Sequence, residues 1–320
     1  MKLSQLSTVI SAIAIATMFE MIGVVKPAGA TSMQLIGLDN NNNLVSFDPN
    51  NLTSTRRVGV TGITGNLVGI DFRPRNGDLF GVTDANKVYT INPDTGVATL
   101  VLTPNATPFT LNGTSFGFDF NPTPDAIRVV SDANQSTRLS PNTGGLAANA
   151  PDAPLAYAAT DANAGKDPNI VAAAYTNSFA PSPDPTRRTT LFVIDSVLDT
   201  LATQGSMNFL PGAPSPAVSP NTGRLFTVGS LGIDFGSFGG FDILSSNGVD
   251  TAFAASGSSL YSINLSTGAA TTLGTIDGGN VNIVGLAARS VPEPGTIGAL
   301  IGFGALGLLG SCRRRVKSLS

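Results

Sequence analysis

A turn built around a glycine recurs along the middle of the chain and divides it into short, similar units. The segment VYTINPDTGVATL at residues 88–100 is echoed by LYSINLSTGAAT at residues 260–271. A proline early in such a turn fixes its first corner, and a glycine at its end takes the left-handed conformation that returns the chain antiparallel. Each copy therefore predicts a β-hairpin, and related turns occur at residues 74–77, 141–144 and 220–223.

A second element, glycine, any residue, aspartate and then phenylalanine or isoleucine, begins at Gly69, Gly117, Gly232 and Gly240. Its first two copies lie 48 residues apart. A period of about 40–50 residues with four short strands per unit is typical of propeller blades. The sequence therefore predicts an all-β fold over residues 31–291, a β-propeller of about six blades with a margin of one.

Two similar strands stand at opposite ends of this region, LIGL at residues 35–38 and IVGL at residues 283–286. We expect these strands to pair, because that pairing would close the ring of blades. A β-sandwich is the alternative fold, but it would not explain the repeat.

The N-terminal residues are typical of an export signal. Lys2 precedes an apolar run over residues 6–19, and three small residues follow at 28–30. A charged start, an apolar run and small residues before the cut are the parts of a secretory signal. We predict a signal peptide over residues 1–30 that signal peptidase removes. A retained membrane anchor is the alternative, although the run is short of the ~20 residues that span a bilayer.

The C-terminal residues 292–320 contain a second apolar run, over residues 295–311, at the lower limit for a spanning helix. Basic residues after such a run hold that end in the cytoplasm. We therefore predict transient membrane insertion through this helix, with the C-terminus cytoplasmic and residues 31–291 outside. The residues that flank the run are Val291, Pro292, Glu293 and Pro294 before it and Arg313, Arg314 and Arg315 after it.

This order of a Pro-Glu-Pro motif, a short glycine-rich helix and an arginine cluster resembles the PEP-CTERM sorting signal of secreted bacterial proteins. In that family exosortase, a membrane protease-transpeptidase, recognises the tail and removes it. The resemblance implies that exosortase is a partner during export and that the protein ends at the cell envelope or outside the cell. A plain membrane anchor is the alternative.

The region between the two ends resembles Domain of Unknown Function 4394, a family of secreted bacterial proteins. The resemblance implies an extracellular β-rich module and brings no known activity and no catalytic residues. The segments that carry it are GFDFNP at 117–122, IRVVSD at 127–132, LAYAATDANAG at 155–165 and AAAYTN at 172–177.

The composition of residues 31–291 excludes several kinds of chemistry. This region contains no Glu, His, Cys or Trp, and its 19 Asp against 12 Lys and Arg give a net charge of −7. Without histidine there is no Ser-His-Asp triad and no imidazole metal ligand. A negative net charge without a basic stripe argues against nucleic acid as a partner.

The aspartates of the second repeated element have two interpretations. Paired carboxylates are the catalytic groups of glycosidases, so they raise the alternative of an exported carbohydrate-active hydrolase. Their recurrence favours a structural role instead, in which each side chain caps a backbone amide. We therefore predict no catalytic residue among Asp71, Asp119, Asp234 and Asp242.

One loop resembles part of a calcium site. Asp161, Asn163 and Asp167 place side-chain oxygens at positions 1, 3 and 7 of the loop, as calcium loops do. The later ligands are missing, so an Asx-rich loop without metal is the alternative. Calcium is thus the only cofactor that the sequence suggests, and a calcium-stabilised adhesin is a further alternative function.

Taken together, these features predict an exported protein without enzymatic activity that has a binding or structural role. We expect it at the cell envelope or in the extracellular matrix, where an extracellular polysaccharide is the candidate partner.

Overall fold

The computed structural model describes residues 31–210, 212 and 216–292. The predicted signal peptide lies outside the described residues, as do the predicted spanning helix at 295–311 and the arginines at 313–315. Within the described ranges no helix is both long and apolar enough to cross a membrane. Residues Met33–Ser290 form one compact unit.

In the described part of the chain, twenty strands make up almost all of the regular structure, and they form five sheets. The first seven strands are β1 (Thr31–Asp39), β2 (Asn43–Asp48), β3 (Asn51–Gly59), β4 (Leu67–Phe72), β5 (Leu79–Thr83), β6 (Lys87–Ile91) and β7 (Ala98–Val101). The next seven are β8 (Phe116–Asn121), β9 (Ala126–Ser131), β10 (Ser136–Leu139), β11 (Ala156–Tyr157), β12 (Ile170–Tyr175), β13 (Thr189–Asp195) and β14 (Thr200–Phe209). The last six are β15 (Arg224–Ser230), β16 (Gly239–Ser246), β17 (Val249–Ser256), β18 (Ser259–Ile263), β19 (Ala270–Thr275) and β20 (Ile283–Pro292). Two short 3-10 segments complete the set, Pro220–Thr222 and Ile276–Gly279.

The five sheets are the blades of a β-propeller, as the repeat predicts. Blades 1, 2 and 5 have four strands each, in the orders β20-β1-β2-β3, β4-β5-β6-β7 and β16-β17-β18-β19. Blade 3 has three, β8-β9-β10, and Leu146 bridges to Leu139 where a fourth strand would lie. Blade 4 has five, β12-β13-β14-β15-β11, and β11 pairs parallel to β15. The strand named first in each blade lies at the axis.

The predicted ring closure is present. Strand β20, from the end of the chain, lies beside β1 in the same sheet. The backbone amide of Asn40 also donates to the carbonyl of Asn282 over 3.1 Å. Blade 1 therefore contains both ends of the described chain, as expected from residues 35–38 and 283–286.

The glycine turns connect strands as expected. Gly96 ends the β6–β7 turn at φ 73°, and its amide donates to the carbonyl of Asn92. Gly268 repeats this between β18 and β19 at φ 82°. The turn at 220–223 is different, because it lies at the end of a longer connection between β14 and β15.

The number of blades in the described residues is five, within the predicted margin of one around six. The prediction of about six assumes a constant period, whereas blade 4 and its connections are longer than that period. Long loops at residues 140–155 and 176–188 take up much of the additional chain.

The hydrophobic core consists of five clusters, and each fills the space between two adjacent blades. Side chains on a strand point alternately to opposite faces, so Leu35 packs towards blade 5 and Ile36 towards blade 2. Both faces of each blade are thus covered. This arrangement holds the five inner strands close together at the axis.

Candidate functional site

The five inner strands meet around a very small central cavity. It has a volume of about 10 Å³, room for about one water molecule. Five small residues, one from the same place in each inner strand, are part of its lining. They are Gly69, Gly117, Ala172, Gly240 and Gly285.

Three of these glycines are required because the next blade comes very close. A Cβ atom on Gly69 would lie 2.4 Å from the Cβ of Phe118. On Gly240 it would lie 2.3 Å from the backbone nitrogen of Leu286, and on Gly117 2.6 Å from that of Ala173. The glycine of the repeated element therefore permits close contact between neighbouring blades.

Two residues further along, three of the inner strands place an aspartate at the axis. One carboxylate oxygen from each of Asp71, Asp119 and Asp242 lies within 4.8 Å of the others. The side chains are buried, with exposed fractions of 3%, 1% and 4%. We call these three residues the axial cluster. The other two inner strands carry Ala174 and Ala287 at this place.

Each member of the axial cluster accepts a hydrogen bond from the inner strand of the next blade. Asp71 Oδ2 accepts from the amide of Phe120 over 2.8 Å. Asp119 Oδ1 accepts from Tyr175 over 3.0 Å, and Asp242 Oδ2 accepts from Ala288 over 2.6 Å. The donor is in every case the residue after the equivalent position. The aspartates therefore tie blade 2 to 3, blade 3 to 4 and blade 5 to 1.

Two of the aspartates also accept from their own strands. The other oxygen of Asp71 accepts the amide of Phe72, and the other oxygen of Asp242 accepts that of Ile243, each over 2.6 Å. All four carboxylate oxygens of these two residues thus accept a backbone amide. This is the amide-capping role that the recurrence of the motif predicts.

Burial raises the pKa of all three carboxyl groups and is the largest cause in each case. The carboxylate of Asp242 further raises the pKa of Asp71, and both neighbours raise that of Asp119. The pKa of Asp242 rises to about 7, and its hydrogen bond with Asp119 favours a proton on Asp119. The cluster can therefore hold shared protons near neutral pH, and the same spacing would suit one cation.

Asp234 does not join the axial cluster, although its tetrapeptide matches the motif. It lies exposed in the connection between β15 and β16. A blade has one inner strand, and the copy that begins at Gly240 supplies the inner strand of blade 5. The expectation that the four aspartates are equivalent is therefore wrong for Asp234.

A larger cavity lies beside the axial cluster. It has a volume of about 270 Å³, and Asp71 and Asp242 form part of its lining. Phe179, from the loop after β12, and Arg289, from β20, line it as well. Sequence reasoning missed Arg289, because nothing in its immediate neighbours marks it. The position of Ala174 could have been found, since AAAY at 172–175 aligns with the repeated motif.

The loop proposed for calcium lies away from the axis, and its oxygens accept hydrogen bonds from the protein. Asp161 Oδ1 accepts from the amide of Asn163 over 2.8 Å, and its Oδ2 accepts from that of Thr227 over 2.7 Å. Asn163 Oδ1 accepts from Lys166 Nζ over 2.9 Å. Asp167 Oδ1 accepts from Asn134 in blade 3 over 2.7 Å. The structure thus places Asp161 and Asn163 in one turn and joins Asp167 to a neighbouring blade.

The residues of the predicted sorting motif begin at the end of the described chain. Val291 and Pro292 are the last residues of β20. Glu293, Pro294 and Arg313–Arg315 lie outside the described residues.

Comparison with known families agrees with both resemblances. A family model described as Domain of unknown function (DUF4394) matches residues 43–287, and one described as PEP-CTERM protein-sorting motif matches residues 290–315. No curated protein matches the chain. The sorting motif identifies an exported protein of the cell envelope that exosortase processes. Because the first model covers well over half of the sequence, the chain belongs to the family of Domain of Unknown Function 4394.

Proposed function

We propose that this exported propeller has a binding or structural role, without enzymatic activity, at the cell envelope or in the extracellular polysaccharide matrix. The axial cluster is the observation that supports the proposal. A carboxylate that transfers protons must present an oxygen to its substrate. All four oxygens of Asp71 and Asp242 instead accept backbone amides, and both side chains are buried.

The absence of enzymatic activity is tested by measuring the cleavage of polysaccharides. The purified protein is incubated with a panel of polysaccharides, and the release of reducing ends is recorded. We expect no release above that of a heat-denatured control. Reproducible release by the native protein would contradict the proposal.

An exported carbohydrate hydrolase is the second candidate, and one feature of the site favours it. A carboxyl group with a raised pKa close to a second carboxylate is the arrangement of a general acid and its partner. Asp71 and Asp242 have this arrangement, and both line the 270 Å³ cavity.

Single replacements by asparagine separate the two candidates. If the aspartates only cap amides, Asp71→Asn and Asp242→Asn lower stability, and no activity exists to be lost. If one of them is also catalytic, its replacement abolishes reducing-end release at a temperature at which the variant is still folded. Asp234→Asn is the matched control, because Asp234 has the same motif but is exposed.

The final location is tested separately through the tail. Removal of residues 292–320 takes away the Pro-Glu-Pro motif, the apolar run and the arginine cluster. We expect the truncated protein to leave the envelope fraction and to appear in a different fraction from the full-length protein. Identical fractionation of the two forms would contradict sorting through the tail.

A further inference from the structure

Two cavities on the propeller adjoin and form one groove. The 270 Å³ cavity beside the axial cluster and a second one of about 390 Å³ are both lined by Gly77 and Arg289. The second cavity extends over blade 2, where β6, β7 and the turn between them form its wall. The groove therefore runs from the axis outwards over blade 2, and it has the size of a ligand site.

Arg289 lies where the two cavities meet, and its orientation is fixed. Its Nε donates to Gln34 Oε1 over 2.8 Å, and its guanidinium lies 5.0 Å from the centre of the Phe72 ring. These contacts hold the side chain in place without neutralising its charge.

Arg289 differs from the other partly or fully buried arginines. Within the described part of the chain it has no carboxylate within 4.0 Å, whereas each of the others pairs with an aspartate. Burial lowers the pKa of the Arg289 guanidinium, and the more distant charge of Asp94 opposes that shift only in part. A half-buried cation without a counterion gains from an anionic ligand. The paired arginines are Arg73, Arg128, Arg138 and Arg187.

One carboxylate, that of Asp78, also lines the outer cavity, and the uncharged polar side chains of the lining suit a ligand with hydroxyl groups. Thr90, Asn92, Thr95 and Thr99 line the outer cavity, and Ser178 and Ser290 line the inner one. Small hydroxyl and amide side chains both donate and accept hydrogen bonds, as sugar hydroxyls require. The raised pKa values of Asp71 and Asp242 reduce their repulsion of an anion at the inner end.

We propose that this groove binds an acidic oligosaccharide, with the carboxylate of a uronic acid unit on the guanidinium of Arg289 and neighbouring sugar units along blade 2. The inference rests on the proposed binding role and gives that role a ligand class.

The test uses the full-length protein and a galacturonic acid oligosaccharide, with binding measured by titration calorimetry at low salt. The same oligosaccharide with its carboxylates methyl-esterified is the matched probe. Arg289→Gln removes the charge and should weaken binding at least about tenfold, the size of a charge-assisted hydrogen bond. Arg289→Lys keeps the charge but loses the planar pair of N–H donors of the guanidinium. Its affinity should therefore lie between those of the unchanged protein and Arg289→Gln. Thr99→Glu places a carboxylate in the outer cavity and should weaken binding too.

Arg224→Gln is the control variant, because Arg224 is exposed on β15 and does not line the groove. It should bind like the unchanged protein, and all variants should melt at similar temperatures. If Arg289→Gln melts early, Thr99→Glu, at an exposed residue, decides the question alone.

Three results would overturn the inference: no binding of the acidic probe, equal binding by Arg289→Gln, or equal binding of the esterified probe. Equal binding of poly-glutamate would overturn the sugar class in favour of an acidic peptide. Failure of the proposed function has a different signature. Cleavage of the bound probe would contradict a non-enzymatic role while the groove assignment stands.

Discussion

The five contacts between neighbouring inner strands are of two kinds. At three of them an aspartate of the axial cluster accepts an amide from the next blade. At the other two the equivalent residues are Ala174 and Ala287. There the links lie away from the axis: the amide of Ser178 donates to Ser245 Oγ, and that of Leu67 to Asn42 Oδ1.

This difference shows that an aspartate stabilises its own contact between two blades but destabilises the ring through charge repulsion. Each carboxylate accepts a hydrogen bond from a buried backbone amide that would otherwise have no partner. However, carboxylates at this distance in a buried site repel one another. The charge of Asp242 already raises the pKa of Asp71, and the charges of Asp71 and Asp242 raise that of Asp119. The contacts at the two alanines add no charge to the ring. At these contacts, hydrogen bonds away from the axis replace the aspartate–amide hydrogen bonds of the other three.

The strongest test of this account adds a fourth carboxylate. Ala174 is fully buried at the place where blade 4 lacks an aspartate. We expect Ala174→Asp to lower the free energy of unfolding by about 3 kcal/mol or more, because it buries a carboxyl group beside three others. Urea denaturation at neutral pH measures the loss.

Ala162→Asp is the matched control for this substitution. Ala162 is exposed in the loop at 161–167, so the same chemical change there should alter stability by less than about 0.5 kcal/mol. Equal losses at the two positions would show that crowding at the axis is not the cause.

The axial cluster should also make stability depend on pH near neutrality. Because the folded pKa values are raised, the folded state holds protons that the unfolded chain releases above its ordinary pKa of 3.8. The free energy of unfolding therefore falls as pH rises through the folded pKa, which is about 7 for Asp242. Asp242 alone should lower it by on the order of 3 kcal/mol between pH 5 and pH 8.

Urea denaturation at a series of pH values measures this slope, and Asp242→Asn should flatten it. Carboxyl groups with lowered pKa values, Asp161 and Asp184, act in the opposite direction. Their effect belongs to a more acidic range, at and below their ordinary pKa. Stability that rises between pH 5 and pH 8 would therefore contradict the account of the axial cluster.

A substitution with a smaller expected effect distinguishes the contribution of the axial hydrogen bonds to stability from that of the axial charges. Asp71→Asn replaces one of two accepting oxygens with an NH2 group, so one buried amide loses its partner. Because burial raises the pKa of the Asp71 carboxyl well above its ordinary value, the charge matters less at pH 5 than at pH 8, and the loss at pH 5 should cost about 1–3 kcal/mol. At pH 8 the same substitution also removes a repelled charge and should cost less.

The comparison variant is Asp234→Asn, which should change stability by less than about 0.5 kcal/mol at both pH values, because the side chain is exposed. A cost for Asp71→Asn that is the same at pH 5 and pH 8 would show that repulsion within the cluster is negligible.

The fold was largely predictable, because each unit of the sequence repeat corresponds to one blade of antiparallel strands. Turns with glycine specify hairpins locally, and the similarity of residues 35–38 to 283–286 indicates closure. The number of blades depends on loops such as 176–188, whose length the packing of the blades does not restrict.

The site was less predictable. The motif identifies Asp71 and Asp119, but the same four-residue pattern at Asp234 lies on a loop, since four residues do not determine which strand is innermost. Arg289 was missed because its significance depends on neighbours that are distant in sequence, Gln34 and Phe72.

The smallest expected effect concerns calcium at the peripheral loop. Asp161 shares the amide-accepting role of the axial aspartates, but it lies near the surface. Partial burial alone would raise its pKa; hydrogen bonds from Asn163 and Thr227 outweigh that effect and lower it. Because those donors already stabilise the carboxylate, and Lys166 Nζ donates to Asn163, we expect EDTA to leave the melting temperature unchanged. A fall on adding EDTA that calcium reverses, and that Asp161→Asn abolishes, would establish the calcium loop instead. A fall that persists in Asp161→Asn but is absent from Asp242→Asn would place the ion in the axial cluster, where it would offset the repulsion that the two alanines otherwise limit.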